Sequence, residues 1–269
     1  MNATAEVRHL FVESQGLRLH ALDFGGSGRP ILLLHGVTGH GWLWSGVAPG
    51  LTGFGRVVAV DFRGHGDSQW SHERAYATSE HATDVRTVID AFGVAEVDVV
   101  GLSWGGLVGT RLAARFPGLV RRLAVLDVPM CFTANESDVP PRPADFPDHA
   151  AACAWERAAN PNAPGDLIEA LARHGTRPGP LGRLERKHDP HFLQSWPFRA
   201  DDLRAEFRSL RQPVLLVRGD ESAVLSREAA LEMAGALPHA RLTQLAECGH
   251  LVPVEAPGPL TAVLRDFLS

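Results

Sequence analysis

The 269-residue chain has only three cysteines, one tyrosine and a single lysine, Lys187. Cys131, Cys153 and Cys248 form no C-x-x-C pair, which argues against a disulfide framework or a zinc knuckle. Reduced thiols and a cytoplasmic location are therefore expected. No run approaches the roughly 18–20 apolar residues that span a bilayer, so no membrane segment is expected. A basic excess is also missing: 26 Lys and Arg stand against 31 Asp and Glu, a net charge of −5, which disfavours nucleic acid as a partner. There is no P-loop, no dinucleotide fingerprint after the first strand and no metal-ligand spacing, so no cofactor and no metal are expected. His149, His174, His188 and His191 are scattered and suggest no ligand set. The opening stretch has no apolar signal-peptide core and reads as mature sequence. Arginine in place of lysine, with abundant Ala and Gly, suggests a GC-rich coding bias, as in a bacterial genome. The expected partner is a small-molecule substrate; nothing in the sequence fixes the oligomeric state.

What is present is ordinary globular composition, 45% hydrophobic and 21% charged. Val7 to Glu13 and Leu17 to Phe24 alternate across Gln15-Gly16, predicting a hairpin. Continuous apolar runs at 30–34, 56–60, 97–100, 123–126 and 214–217 predict strands covered on both faces. Helical spacing lies between them: His81, Val85, Val88, Ile89 and Phe92 share a face, and Trp104 to Phe116 ends at Pro117-Gly118. Ser226 to Leu237 and Leu260 to Leu268 predict two more helices. This alternation predicts an α/β fold, a mostly parallel twisted sheet of about eight strands flanked by helices. The stretch from about Pro129 to Ser209 breaks the rhythm. It offers helical patterns near His149–Ala159, Asp166–Arg173 and Asp201–Leu210 and no good strand, so a helical insertion after the sixth strand is expected.

Gly101-Leu102-Ser103-Trp104-Gly105 follows a buried strand and opens a helix. A serine on so sharp a turn has a strained backbone, and side chains two residues to either side would collide with neighbouring backbone. The turn lifts the hydroxyl above the sheet edge and leaves free amides at the helix start for a developing oxyanion. His35-Gly36-Val37 makes another tight turn after a buried strand, and the amide after Gly36 is placed to point at the same oxyanion. Asp61 to Ser68 reads as a turn whose charges brace neighbouring loops. Cys248-Gly249-His250 follows the last strand, where a histidine reaches a distant serine as general base.

Together these segments resemble the alpha/beta-hydrolase superfamily, in its serine-nucleophile branch with a helical cap, over essentially the whole chain. The resemblance implies that Ser103 is the nucleophile, His250 the base, and the amides of Val37 and Trp104 the oxyanion hole. It implies a core of residues 1–128 and 210–269 with a cap at 129–209. The family's acid usually follows the strand after the cap, three or four residues past a glycine. Here those positions are Ser222 and Ala223, which cannot ionise; Asp220 and Glu221 are near but aim differently. Asp127, ending the strand before the cap, is the main rival, and a chain with no acid partner is the third possibility.

Aromatic residues suggest a pocket for an apolar substrate, with His35, Trp42, Trp155 and Trp196 as its expected residues. Trp44, Phe146, Phe192 and Phe198 are further rings nearby or in the cap, and such rings also serve simply as a cap's own core. Three functions remain: a serine hydrolase of an ester, lactone or similarly activated carbonyl in a small apolar molecule; a lyase, cyclase or carbon–carbon bond-cleaving enzyme on the same scaffold, prompted by the absent acid; and a ligand-binding non-enzyme.

Overall fold

The N-terminal hairpin forms as its turn residues dictate. β1 (Arg8–Ser14) and β2 (Leu17–Gly25) pair antiparallel, and Gln15 and Gly16 reverse the chain with φ of 51° and 76°. Two successive left-handed residues give the tight turn whose twist matches its strands. A computed structural model describes residues 6–132 and 139–269.

The apolar runs become β3 (Pro30–Leu34), β4 (Arg56–Val60), β5 (Val97–Leu102), β6 (Val120–Leu126) and β10 (Val214–Gly219), and β11 (Ala240–Leu245) closes the sheet. The eight strands lie in the order β1-β2-β4-β3-β5-β6-β10-β11. Every pairing from β4 onward is parallel. Side chains alternate between two cores. Leu32 and Leu34 face α1 (Thr78–Ala91) and α2 (Trp104–Arg115), while Ile31 and Leu33 face α8 (Pro257–Leu268). Each such fully buried aliphatic side chain contributes about 1.5–3 kcal/mol. The α6 helix (Arg227–Gly235) joins the first layer, with Ser226 accepting from the Ala229 amide as its N-cap.

Between β6 and β10 lie α3 (His149–Ala159), α4 (Gly165–Gly175) and α5 (Arg204–Ser209), close to the helical patterns of the sequence. The expectation of no strand there is corrected. β7 (Asp145–Phe146), β8 (Thr176–Pro178) and β9 (Leu184–Arg186) form a small antiparallel sheet in the order β7-β9-β8. Strands of two or three residues are too short to show a period.

The loops at the carboxyl ends of β3, β5, β6, β10 and β11 carry the site, where open α/β sheets bind ligands. The segment after β4 steadies them. Asp61, buried, lies 2.7 Å from His20 Nδ1 and accepts from the Gly41 and Asp67 amides. Arg63 forks onto Asp84, and His65 Nε2 accepts from the Thr38 amide at 3.1 Å. Burial alone would raise the Asp61 carboxyl, but His20, His35 and the Asp67 amide outweigh it and hold it down to about 2. A carboxyl depressed in the folded state stabilises above its ordinary value and loses that stabilisation as pH falls through the folded one. Asp61→Asn is therefore expected to cost about 2 kcal/mol at pH 7, a gap that closes as pH falls from about 4 to 2. Urea unfolding at both ends of that window checks it; equal stability at pH 7 would refute the brace.

Candidate active site

Ser103 stands alone between β5 and α2, with φ 53° and ψ −124°. A non-glycine residue there is strained and persists only when its surroundings fix it. Its amide donates to the Leu126 carbonyl at 2.8 Å, and its carbonyl accepts from the Gly106 amide at 2.8 Å. A Cβ on Gly101 would sit 2.2 Å from the Gly105 oxygen, and one on Gly105 would sit 2.3 Å from the Leu34 oxygen. The turn therefore demands both glycines. The first amides of α2 have no acceptor within the helix. The Trp104 indole is buried and donates to Thr78 Oγ1 at 2.9 Å, so this residue offers the site only its main chain.

The loop after β3 passes directly over the serine: a Cβ on Gly36 would lie 3.0 Å from Ser103 Cβ. The Gly39 amide bonds the Gly36 carbonyl and the Thr38 amide bonds His65, whereas the Val37 amide meets no acceptor among the described residues. His35 does not line a pocket, contrary to expectation. It is fully buried, with Nε2 accepting from the Phe62 amide at 3.0 Å and Nδ1 2.7 Å from the Gly36 carbonyl. Its ring props the loop from beneath.

His250 sits between β11 and the short α7 (Val252–Glu255). The Glu255 carboxylate accepts from the Gly249 and Leu251 amides at 3.1 and 3.3 Å, bracing the loop on either side of it. His250 Nδ1 lies 2.7 Å from Asp127 Oδ2. Asp127 follows β6, is fully buried, and adopts φ 52°, a left-handed conformation that aspartate tolerates. Its Oδ1 accepts from the Gly219 amide at 3.2 Å and its Oδ2 from the Ser222 hydroxyl. Asp220 instead accepts from the Cys248 amide at 3.2 Å, and Glu221 meets that loop through its main-chain amide. Among the described contacts, neither carboxylate touches His250.

Ser222 thus occupies the place where the resemblance leads one to seek an acid, and donates to a carboxylate supplied one strand earlier. Its position past Gly219 is the signal that sequence reasoning held without using. Glu255 had no local signal.

Ser103 and His250 line one cavity of about 350 Å³. Val37, Trp155, Trp196 and Phe198 line it too. Trp42 does not: the tight turn at Gly41–Trp44 sends Trp44 into the core, and Trp42 stacks on His174 with ring centroids 3.9 Å apart. Phe146 and Phe192 are buried in packing rather than on the cavity. Arg142, Arg186 and Glu156 line it as well, with the two guanidiniums 5.6 Å from the Trp196 and Trp155 rings, so charge stands beside the aromatic lining. His40 also faces it, and burial holds this imidazole down to about 4.

Two groups have metal-ligand spacing among the described residues, His149 with Cys153 and Glu169, and His20 with Asp61 and Asp67. Neither lines the cavity, and Arg173 already pairs with Glu169. No described helix is long and apolar enough to cross a membrane, and the three cysteines are unpaired.

Comparison with known proteins agrees with this architecture. The family model of the alpha/beta hydrolase fold matches residues 29–164, just over half of the chain. A 2-hydroxy-6-oxo-2,4-heptadienoate hydrolase of Pseudomonas putida is 27% identical, over 100% of this chain and 98% of its own length. The esterase Rv0045c of Mycobacterium tuberculosis is 26% identical, over 93% of this chain and 86% of its own. The crystal structure of an E-2-(acetamidomethylene)succinate hydrolase superposes with a TM-score of 0.88 at 26% identity, covering 98% of this chain and 99% of that one. With fold, glycine-bounded serine turn and family match in agreement, the chain belongs to the alpha/beta hydrolase fold family and is an enzyme of the hydrolase type.

Proposed function

We propose that the protein is a serine-dependent hydrolase that cleaves an ester, lactone or similarly activated carbonyl in a small molecule with a largely apolar body. The contact that carries this reading is His250 Nδ1 against the buried Asp127 carboxylate, with His250 and Ser103 lining one cavity. Ser103 Oγ attacks the carbonyl while His250 Nε2 takes its proton. Asp127 holds the proton on Nδ1 and stabilises the imidazolium. The Val37 and Trp104 amides donate to the tetrahedral oxyanion, and His250 returns its proton to the leaving group. Water, activated by the same imidazole, then releases the acyl group from Ser103. Residues 129–209 act as a cap whose Trp155, Trp196 and Phe198 rings hold the apolar part of the substrate.

The non-hydrolytic alternative drew its motive from a missing acid. Asp127 supplies a carboxylate to His250, so hydrolysis is the better supported reaction. Unpaired cysteines fit a reducing cytoplasm.

Incubation with a fluorophosphonate, read by intact mass, tests the assignment. One adduct is expected on the native chain and none on Ser103→Ala. An adduct that persists in the variant would sink it.

A further inference from the structure

The cavity wall supplied by the insertion carries charge that the reaction at Ser103 does not use. Arg186, at the end of β9, is only 8% exposed. Its Nε donates to the Pro143 carbonyl at 2.9 Å, and its guanidinium lies 4.8 Å from the Phe146 ring centroid. Nη1 stands 3.5 Å from Glu156, a long and weak pairing, and Nη2 is buried without any partner. Arg142 lines the same wall, with its guanidinium 5.6 Å from the Trp196 ring and its Nε likewise buried and unpartnered.

Three arginines therefore line the cavity, Arg142, Arg186 and Arg199, and Glu156 is the carboxylate beside Arg186. Glu255 also lines the cavity, but both its oxygens hold the His250 loop. The buried His40 is neutral near pH 7 and adds no positive charge. Guanidinium stays protonated even when buried, so its charge cannot be relieved by losing a proton. Burial and the neighbouring arginine work against the charge on Arg142, which leaves it in need of an anion. An unmatched buried donor on a charged group is costly unless a ligand satisfies it. The planar fork of Arg fits the two oxygens of a carboxylate.

We propose that Arg142 and Arg186 form a carboxylate-binding subsite, so that the substrate is a small carboxylic acid whose activated carbonyl lies at Ser103. This rests on the serine-hydrolase reading and names its substrate class. The Trp155, Trp196 and Phe198 rings that line the cavity take the carbon chain between the two ends.

A matched pair of esters tests it: 4-nitrophenyl hydrogen adipate, anionic at pH 7, and its neutral methyl-capped counterpart, 4-nitrophenyl methyl adipate. The native enzyme is expected to favour the acid in kcat/KM by at least about tenfold, chiefly through KM, as for a buried charge-assisted contact. Arg186→Gln is expected to remove that preference, and Arg142→Gln to remove most of it. The second variant leaves the Pro143 contact intact and serves if the first folds poorly. Native enzyme without a preference for the acid, or a preference that survives in both variants, overturns the subsite. So does turnover of neither ester while Ser103 still reacts with a fluorophosphonate. Failure of Ser103 to react would instead overturn the hydrolase reading.

Discussion

Asp127→Asn is expected to lower kcat for ester hydrolysis by about four orders of magnitude, with the fold intact. Both carboxylate oxygens of Asp127 receive donors: Gly219 N–H on Oδ1, Ser222 O–H and His250 on Oδ2. An asparagine must place its NH2 on one side. Facing the Gly219 amide it would set two donors together. Facing Ser222 and His250 it finds a hydroxyl that can rotate to accept, and an imidazole that must then accept at Nδ1. The proton moves to Nε2, and His250 can no longer take one from Ser103. Neighbouring variants separate this from general damage. Asp220→Asn and Glu221→Gln leave the contact untouched and are expected to stay within about tenfold of native, whereas Ser222→Ala loses one hydrogen bond, worth about 1 kcal/mol. Steady-state rates with a nitrophenyl ester, beside circular dichroism of each variant, decide the matter. A folded Asp127→Asn enzyme within tenfold of native would remove Asp127 from the mechanism.

Gly105→Ala should strongly destabilise the folded enzyme. The added methyl would lie 2.3 Å from the Leu34 oxygen, 2.7 Å from the Leu34 carbonyl carbon and 2.8 Å from the His35 oxygen. All three are backbone atoms at the end of β3, a fully buried strand paired on both sides, and none can swing away as a flexible side chain would. A clash of this kind costs about 3 kcal/mol or more, against a total stability of about 5–15 kcal/mol for a typical domain. Gly235→Ala is the control: a Cβ there meets nothing within 4 Å, and a helical position gains about 0.5–1 kcal/mol from the change. Soluble yield and thermal unfolding of the two variants report the difference. Native-like melting of Gly105→Ala would mean that the turn around Ser103 is looser than described.

The strands and the serine turn were legible because each rests on a local requirement. A strand buried on both faces must be a continuous apolar run, as at Ile31–Leu34, and a turn as sharp as that at Ser103 must be flanked by glycine. The turn after β3 was legible for the same reason at Gly36. What connects distant segments was not. Asp127 meets His250 across 123 positions of sequence, so spacing alone left Asp220 and Glu221 as open rivals. Glu255 acts only through the amides beside His250, which no pattern of residue types announces. His35 stood out by its place before the loop, yet its ring packs inward against Phe62. Arg142 and Arg186 were lost among many arginines, and Arg186 is buried on a strand of three residues, too short to read. Trp155 and Trp196 were found as aromatic residues, but which rings face a cavity and which fill a core is decided by packing.

The dependence of Ser103 on Asp127 through His250 is best examined by the rate of fluorophosphonate addition at Ser103 in two backgrounds. In the native chain, Asp127→Asn should slow addition by orders of magnitude. In His250→Ala the same substitution should change the already slow rate by no more than a few-fold, since groups that act as one unit do not add. An equally large loss in both backgrounds would show that Asp127 does not work through the imidazole.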